Sequence, residues 1–250
     1  MENEEQTILN DRLAKVTENT LKSDPAKTLS KKITDKDSAQ RPRTRTQDPE
    51  GVRQNILEVA TAEFTEKGFS GARVDDIAAK TNTSKRMIYY YFRDKEGLYI
   101  AVLEHAYATM RSGEAQLQLQ GLDPAAAMRK LAQFTFTFQN ANTWFVRLVL
   151  IENIHHGEHL ARSERIQGLN VSIVEMLRDV YNRGVAEGLF RPDLDIIDLH
   201  MTMSALAIFN VSHRATFSRI FRRDMGSPEA LSKRCTVAVD TLMRYVLINP

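Results

Sequence analysis

FSGARVDDIAAKTNTSKRMIYYYFRDK, residues Phe69 to Lys95, reads as two short helices joined by a tight turn. The first, about Val74 to Lys80, sets Val74, Ile77 and Ala78 on one face. Asn82 and Thr83 interrupt the apolar pattern, and such side chains compete with helix by bonding local backbone, so a turn belongs there. Ser84 can cap the second helix, Lys85 to Tyr91, by accepting from a free N–H of its first turn. Ile88 and Phe92 pack inward, which leaves Lys85, Arg86, Met87, Tyr90 and Tyr91 facing elsewhere.

That arrangement suits DNA. A helix entering the major groove needs long donors near its N-terminus to reach base edges, and Lys85 and Arg86 sit there. Hydroxyls and cations along its flank hold phosphates, and Tyr89, Tyr91 and Lys95 can supply them. A helical hairpin with a solvated basic end is the alternative.

From Ile56 to about Val102 the chain resembles the DNA-binding domain of the TetR/AcrR regulators. The matching pieces are Ile56-Leu57-x-x-Ala60, Phe64-x-x-x-Gly68-Phe69, Val74-x-Asp76-Ile77-Ala78, Ser84-x-x-x-Ile88-Tyr89-x-Tyr91-Phe92 and Lys95-Glu96-x-Leu98. The resemblance implies a DNA contact set of Arg73, Ser84, Lys85, Arg86, Met87, Tyr89, Tyr90, Tyr91 and Lys95. Two departures stand out. Ala72 and Arg73 occupy positions where the family often has Thr and then Ser or Thr, so the usual N-cap is missing and Arg73 is left to hold a phosphate by charge. Gly97 lowers the helix propensity of the next helix's first turn.

Outward from this stretch, Asp48-Pro49 starts a bracing helix, Asp as N-cap and Pro preorganised for the first turn. Val52, Ile56, Val59, Ala60 and Phe64 form its apolar stripe and Gly68 stops it. Residues 1–47 are polar and poor in aromatics, and are expected to be a disordered extension. Its end, Arg41-Pro-Arg-Thr-Arg45, resembles arms that enter the minor groove, with a solvated basic linker as the alternative. The domain division is therefore 1–47, a helix-turn-helix domain at 48–94, and a helical ligand-binding and dimerisation domain at 95–250.

Composition is that of a soluble chain of 250 residues with one cysteine, Cys235, so no internal disulfide framework exists. No apolar run reaches the ~20 residues of a membrane span. The start, MENEEQTILNDRL, lacks an apolar h-region and is not expected to be a secretory signal; the chain reads as cytoplasmic. The net charge of +2 hides a basic excess of three between Arg41 and Lys95, a modest footprint for phosphates.

Beyond Asp94, which can cap a helix carrying Leu98, Val102, Leu103 and Tyr107, helical signals continue. Asp123-Pro124 opens a helix to Asn140. Trp144 to Ile154 is apolar nearly all round, a buried central helix interrupted by Arg147. Ser163 to Glu187 is long and amphipathic. Asp195 caps Ile196 to about Phe217, and Ser227-Pro228 starts a last helix to about Leu247. The fold class is all-α, about nine helices. This half resembles the branch containing the pyrimidine-utilisation regulator RutR. The last two helices carry apolar residues on several faces (Leu206, Phe209, Val237, Val239, Leu242, Val246), enough for a homodimer interface.

A ligand site is expected between the middle helices, with Phe134, Phe138, Trp144, Arg147, His156, His200, Met203 and Asn210 as candidates, although each also suits simple packing. An aromatic wall with one arginine fits a small planar acid or heterocycle. His155, His156 and His159 have spacings that could hold zinc on a continuous helix, but Gly157 interrupts the run. The function implied is a ligand-responsive transcriptional regulator, expected to be a repressor, that binds palindromic double-stranded operator DNA as a homodimer and is released by a small-molecule effector. The alternative is a metal-sensing regulator or a histidine-cluster metalloenzyme. No catalytic residue, metal ligand or cofactor is assigned, because no nucleophile, paired carboxylates or phosphate loop accompanies the histidines.

Overall fold

The computed structural model describes residues 48–250; the extension at 1–47 and its basic arm at 41–45 lie outside the described residues. Ten α-helices follow one another there: α1 (Pro49–Gly71), α2 (Val74–Thr81), α3 (Lys85–Phe92), α4 (Lys95–Ala115), α5 (Pro124–Ala141), α6 (Thr143–Ile154), α7 (Glu164–Ala186), α8 (Ile196–Ser212), α9 (Arg214–Ile220) and α10 (Pro228–Val246). No strand forms among the described residues, and one isolated antiparallel bridge joins Phe190 to Leu247. The fold is all-α, as the sequence leads one to expect. It divides into two compact units after Val102, so the first two turns of α4 belong to the first unit.

In the first unit Ile56, Phe64, Ile77, Ile88, Leu98 and Tyr99 are fully buried. Each such apolar side chain contributes about 1.5–3 kcal/mol of burial. Tyr99 of α4 packs edge-on to Phe64 at 5.0 Å, tying α4 to α1. Glu63, 1% exposed, joins α1 to α2 by pairing with Lys67 at 2.8 Å and with Lys80. Burial pushes its carboxyl up, but hydrogen bonds from the two lysines outweigh that and hold it below the usual range.

Three local expectations are refined. Asp48 occupies the N-cap of α1, but its side chain makes no cap bond; its carbonyl accepts from Val52 N at 3.0 Å instead. Gly68 stops the helical run at φ +71°, and one further turn to Gly71 follows the kink. Gly97, which the sequence shows only as a weak helix former, is sterically required: an added Cβ would lie 2.1 Å from the Phe92 carbonyl oxygen. Asp94 caps α4 by accepting from Gly97 N at 2.7 Å.

The second unit is built around α5, which packs against α6, α7, α8 and α10. Asp123 caps α5 through Ala125 N and Ala126 N, Ser163 caps α7, Asp195 caps α8 and Ser227 caps α10. Tyr181 secures the α7–α8 connector: its hydroxyl donates to Arg191 O at 2.7 Å and accepts from Leu194 N at 2.9 Å.

Two expectations are corrected here. The helix expected from Ile196 to Phe217 breaks at His213, which has φ −106° and ψ 0°. Ser212 Oγ bonds back to Phe209 O at 3.4 Å, a local competitor of the helix. From either side of the break, Asn210 Nδ2 and Arg214 Nη2 converge on Asn140 Oδ1, each at 2.6 Å. The other correction concerns α6, which is not buried all round. Phe145, Val146, Leu148 and Glu152 face inward, whereas Arg147 is exposed and Ile154 is 74% exposed.

Candidate functional site

In the first unit the rotation of α3 is set by its anchors. Ser84 Oγ accepts from Met87 N at 3.2 Å, and Ile88 and Phe92 are buried. That rotation exposes Lys85, Arg86, Tyr89 and Tyr90, with Met87 and Tyr91 half-buried beside them. Tyr90 is 77% exposed, so it adds little to the core of a two-turn helix.

The basic groups differ in their freedom to meet a polyanion. Arg86 is exposed, as is Arg73 at the N-cap of α2, where it makes no side-chain cap bond. Lys85 Nζ instead lies 3.1 Å from Asp75 Oδ1, and the Asp75 hydrogen bond raises its pKa. Lys95 is held locally: Nζ donates to Ser70 O at 3.4 Å and stands 4.9 Å from the Phe69 ring centre, and burial lowers its pKa. A phosphate contact from Lys95 would require it to leave both.

A groove of about 580 Å³ runs beside α3, between the start of α1 and the α2–α3 turn. Asn55, Asn82, Thr83, Ser84, Met87 and Tyr91 are among its lining residues. Amides and hydroxyls of this kind suit phosphate oxygens. Asn55 and Thr83 are not among the DNA-contact candidates that the sequence offers, because single polar residues on a solvated face carry no periodic signal.

In the second unit the sequence candidates scatter. Phe134 and Phe138 are buried and their rings lie 5.7 Å apart. His200 is half-buried. Met203 instead joins Ala132, Phe136, Leu206 and Leu242 in the packing of α5, α8 and α10. Asn210 is spent on Asn140, and Trp144 Nε1 reaches Asn142 Oδ1 at 3.3 Å. Arg147 and His156 are exposed. Arg147 falls on the outer face of α6; His156 sits in a turn with φ +56°.

The inward arginine is Arg111, on α4, at 8% exposure. Its Nη1 donates to Glu114 Oε2 at 2.6 Å, Nη2 faces Met110 Sδ at 3.7 Å, and Nε has no partner among the described residues. Glu114 Oε1 and His200 Nδ1 are likewise buried without a partner there. Burial outweighs Arg111 and lifts the Glu114 carboxyl to about 7. Burial and then Arg111 push His200 down, favouring the neutral ring. Tyr107, one turn before Arg111, is pushed up by burial. Buried polar groups normally find partners, so unspent atoms gathered around one cation mark a place where a polar ligand can bind. Tyr107, Arg111 and Glu114 are not among the ligand-site candidates that the sequence offers. The signal was present: Leu103, Ala106, Tyr107, Met110, Arg111 and Glu114 continue one helical stripe at steps of three and four.

The histidine run does not form a metal site. α6 ends at Ile154, Gly157 takes φ +73°, and His159 turns inward to Glu152 with Nδ1 3.1 Å from Oε2. Among the described residues no three His, Cys, Asp or Glu side chains gather to hold a metal ion. No helix there is long and apolar enough to cross a membrane.

Residues 56–102 match the family model described as bacterial regulatory proteins, tetR family, and residues 124–242 match the tetracyclin repressor-like, C-terminal domain. The chain is 36% identical over 200 residues to the HTH-type transcriptional repressor NicS of Pseudomonas putida, spanning 80% of this chain and 94% of that protein. Among solved structures, the transcriptional regulator SCO4942 of Streptomyces coelicolor aligns with a TM-score of 0.59 at 25% identity, over 78% of this chain and 98% of that one. A TetR family regulator from Marinobacter aquaeolei aligns with a TM-score of 0.64 at 21% identity, over 81% of this chain and 99% of that one. The chain belongs to the TetR family: it is a DNA-binding transcriptional regulator with a helix-turn-helix domain, and not an enzyme.

Proposed function

We propose that the protein is a repressor that holds a palindromic operator as a homodimer and leaves it when a small-molecule effector enters the second unit at Arg111. The observation that carries the DNA half is the exposed face of α3, where Lys85, Arg86 and Tyr90 stand outward on a helix whose rotation is locked from below. Lys85, Arg86 and Met87 read base edges. Arg73, Ser84, Tyr89, Tyr91 and Lys95 hold phosphates and set register. The repressor sign is supported by the name of the Pseudomonas putida relative.

Dimerisation is supported by apolar groups left outside on α8 and α10: Met201 is 61% exposed, Phe209 44% and Val237 43%. Large apolar groups clustered on helical faces favour a partner over water. A two-fold axis then sets two α3 helices about 34–36 Å apart, one turn of B-DNA. The effector half rests on the unspent polar atoms at Arg111, Glu114 and His200. An effector releases DNA only by binding the non-operator conformer better, so tight binding alone shifts nothing.

Selection of duplexes from a random pool at two salt concentrations tests this. An enriched palindrome, with affinity falling steeply as salt rises, is the expected result. Enrichment of a single half-site, or binding indifferent to salt, would sink the dimeric-reader proposal.

A further inference from the structure

We propose that the Arg111 site takes a small aromatic monocarboxylate, seated bidentately on the guanidinium, and that the site gains a proton at Glu114 as this anion binds. The inference rests on the effector-site proposal above and adds the ligand's chemistry to it.

The first argument is the shape of the free donor edge. A guanidinium presents its N–H groups in fixed pairs. Glu114 engages Arg111 through Nη1. The pair left over is Nε, which has no partner among the described residues, with Nη2, which faces only a thioether sulfur. Those two N–H groups lie parallel on one edge, at the spacing of the two oxygens of a carboxylate.

The second argument is what surrounds that edge. The Phe134 ring lies against Gly113, close enough that an added Cβ would come within 2.5 Å of it. From Phe134 the rings run on: Phe138 at 5.7 Å, then Phe145 at 5.9 Å, then Tyr107 at 5.5 Å from Phe145. Tyr107, one turn before Arg111 on α4 and close enough to interact with its charge, ends this line of four rings. A flat apolar body suits that wall.

The third argument is charge. The groups around the edge are Arg111, Glu114 and Tyr107 from α4, His200 from α8, and Glu152 from α6, whose charge acts on Tyr107. Glu152 is itself spent on His159 and on Leu160 N. One buried cation already faces one carboxylate. A second anion there is accommodated when a proton from solvent moves onto Glu114, whose carboxyl titrates at about 7. A phosphate dianion would need two compensating charges where the site offers one.

The test uses full-length protein and a panel of benzoates, naphthoates and indole carboxylates, each paired with its primary amide. Titration calorimetry near neutral pH, in two buffers of different protonation enthalpy, reads affinity and proton uptake together. Acids are expected to bind at least about tenfold tighter than their amides, as a charge-assisted bidentate pair should. The wild type should take up part of a proton per acid bound. Glu114→Gln should bind the acids with no uptake, and Arg111→Lys should lose the acid-over-amide preference, melting curves confirming that both variants are folded. Amides binding as well as acids, or uptake unchanged in Glu114→Gln, would overturn the proposal. If no acid binds, a broad library is screened against operator release. Release by neutral or cationic compounds alone would reject the ligand class and keep the effector site; release by none would reject the effector site as well.

Discussion

Lys85 Nζ is hydrogen-bonded to Asp75, reaching from the first residue of α3 across the α2–α3 turn, with 3.1 Å to Oδ1. A side chain that we propose reads DNA is therefore paired with a carboxylate in the free protein. Binding must exchange that carboxylate for a base edge or a phosphate, so Asp75 lowers affinity for every sequence and does so most where nothing specific replaces it. Asp75→Asn is expected to raise binding to random duplex severalfold and to narrow the gap between operator and non-operator DNA. Fluorescence anisotropy with both duplexes at matched salt checks this; an unchanged ratio would mean that the pair does not bear on recognition.

Arg86 is exposed and makes no ion pair among the described residues, which leaves its donors available to a guanine edge. Arg86→Ala should weaken operator binding by about 1–3 kcal/mol and relax preference at one base position in each half-site. Repeating the duplex selection with the variant measures both. Equal affinity would remove Arg86 from the reading set.

Gly97 faces the Phe92 carbonyl where α3 hands over to α4. Because that neighbour is backbone, it cannot swing aside, and Gly97→Ala is expected to destabilise the protein by about 1–3 kcal/mol despite alanine's better helix propensity. Chemical denaturation of the variant decides the sign: a gain in stability would show that the α3–α4 turn relaxes freely.

Glu114 makes stability depend on pH. Its carboxyl titrates at about 7 in the folded chain against a usual 4.5, so between those values the folded protein holds more protons than the unfolded one. Its contribution to stability therefore falls as pH rises through this window and levels off above it. His200 acts in the opposite sense, since burial lowers it from 6.5 and acid must charge it. The difference between wild type and Glu114→Gln isolates the carboxyl: the wild type should lose about 1–3 kcal/mol relative to the variant between about pH 5 and 8. Parallel urea melts across that range would show a flat difference if the carboxyl were not held up by burial.

Much of the architecture was legible because it is local. Ser84, Asp123, Asp195 and Ser227 each cap a helix by bonding an N–H two or three residues on, and those distances are set along the chain. The face of α3 was legible for the same reason: Ile88 and Phe92 lie one turn apart, and burying them dictates where Lys85, Arg86 and Tyr90 point.

The interior of the second unit was less so. Arg147 lies in the most apolar stretch and reads as the inward arginine, yet it faces out, while Arg111 in a mixed helix faces in. A charged pair such as Arg111 and Glu114 at i and i+3 reads equally well as a solvated surface pair. Whether it stays in water is settled by what packs against α4, such as Phe134 on Gly113 and Phe145 on Tyr107. Caps, periodicity and the spacing of the helix-turn-helix determine the helices and the outward face of α3, because those interactions span a turn or less. The tertiary structure alone decides which polar groups are desolvated, and so where a ligand can be recognised, because that depends on rings tens of residues away in the chain.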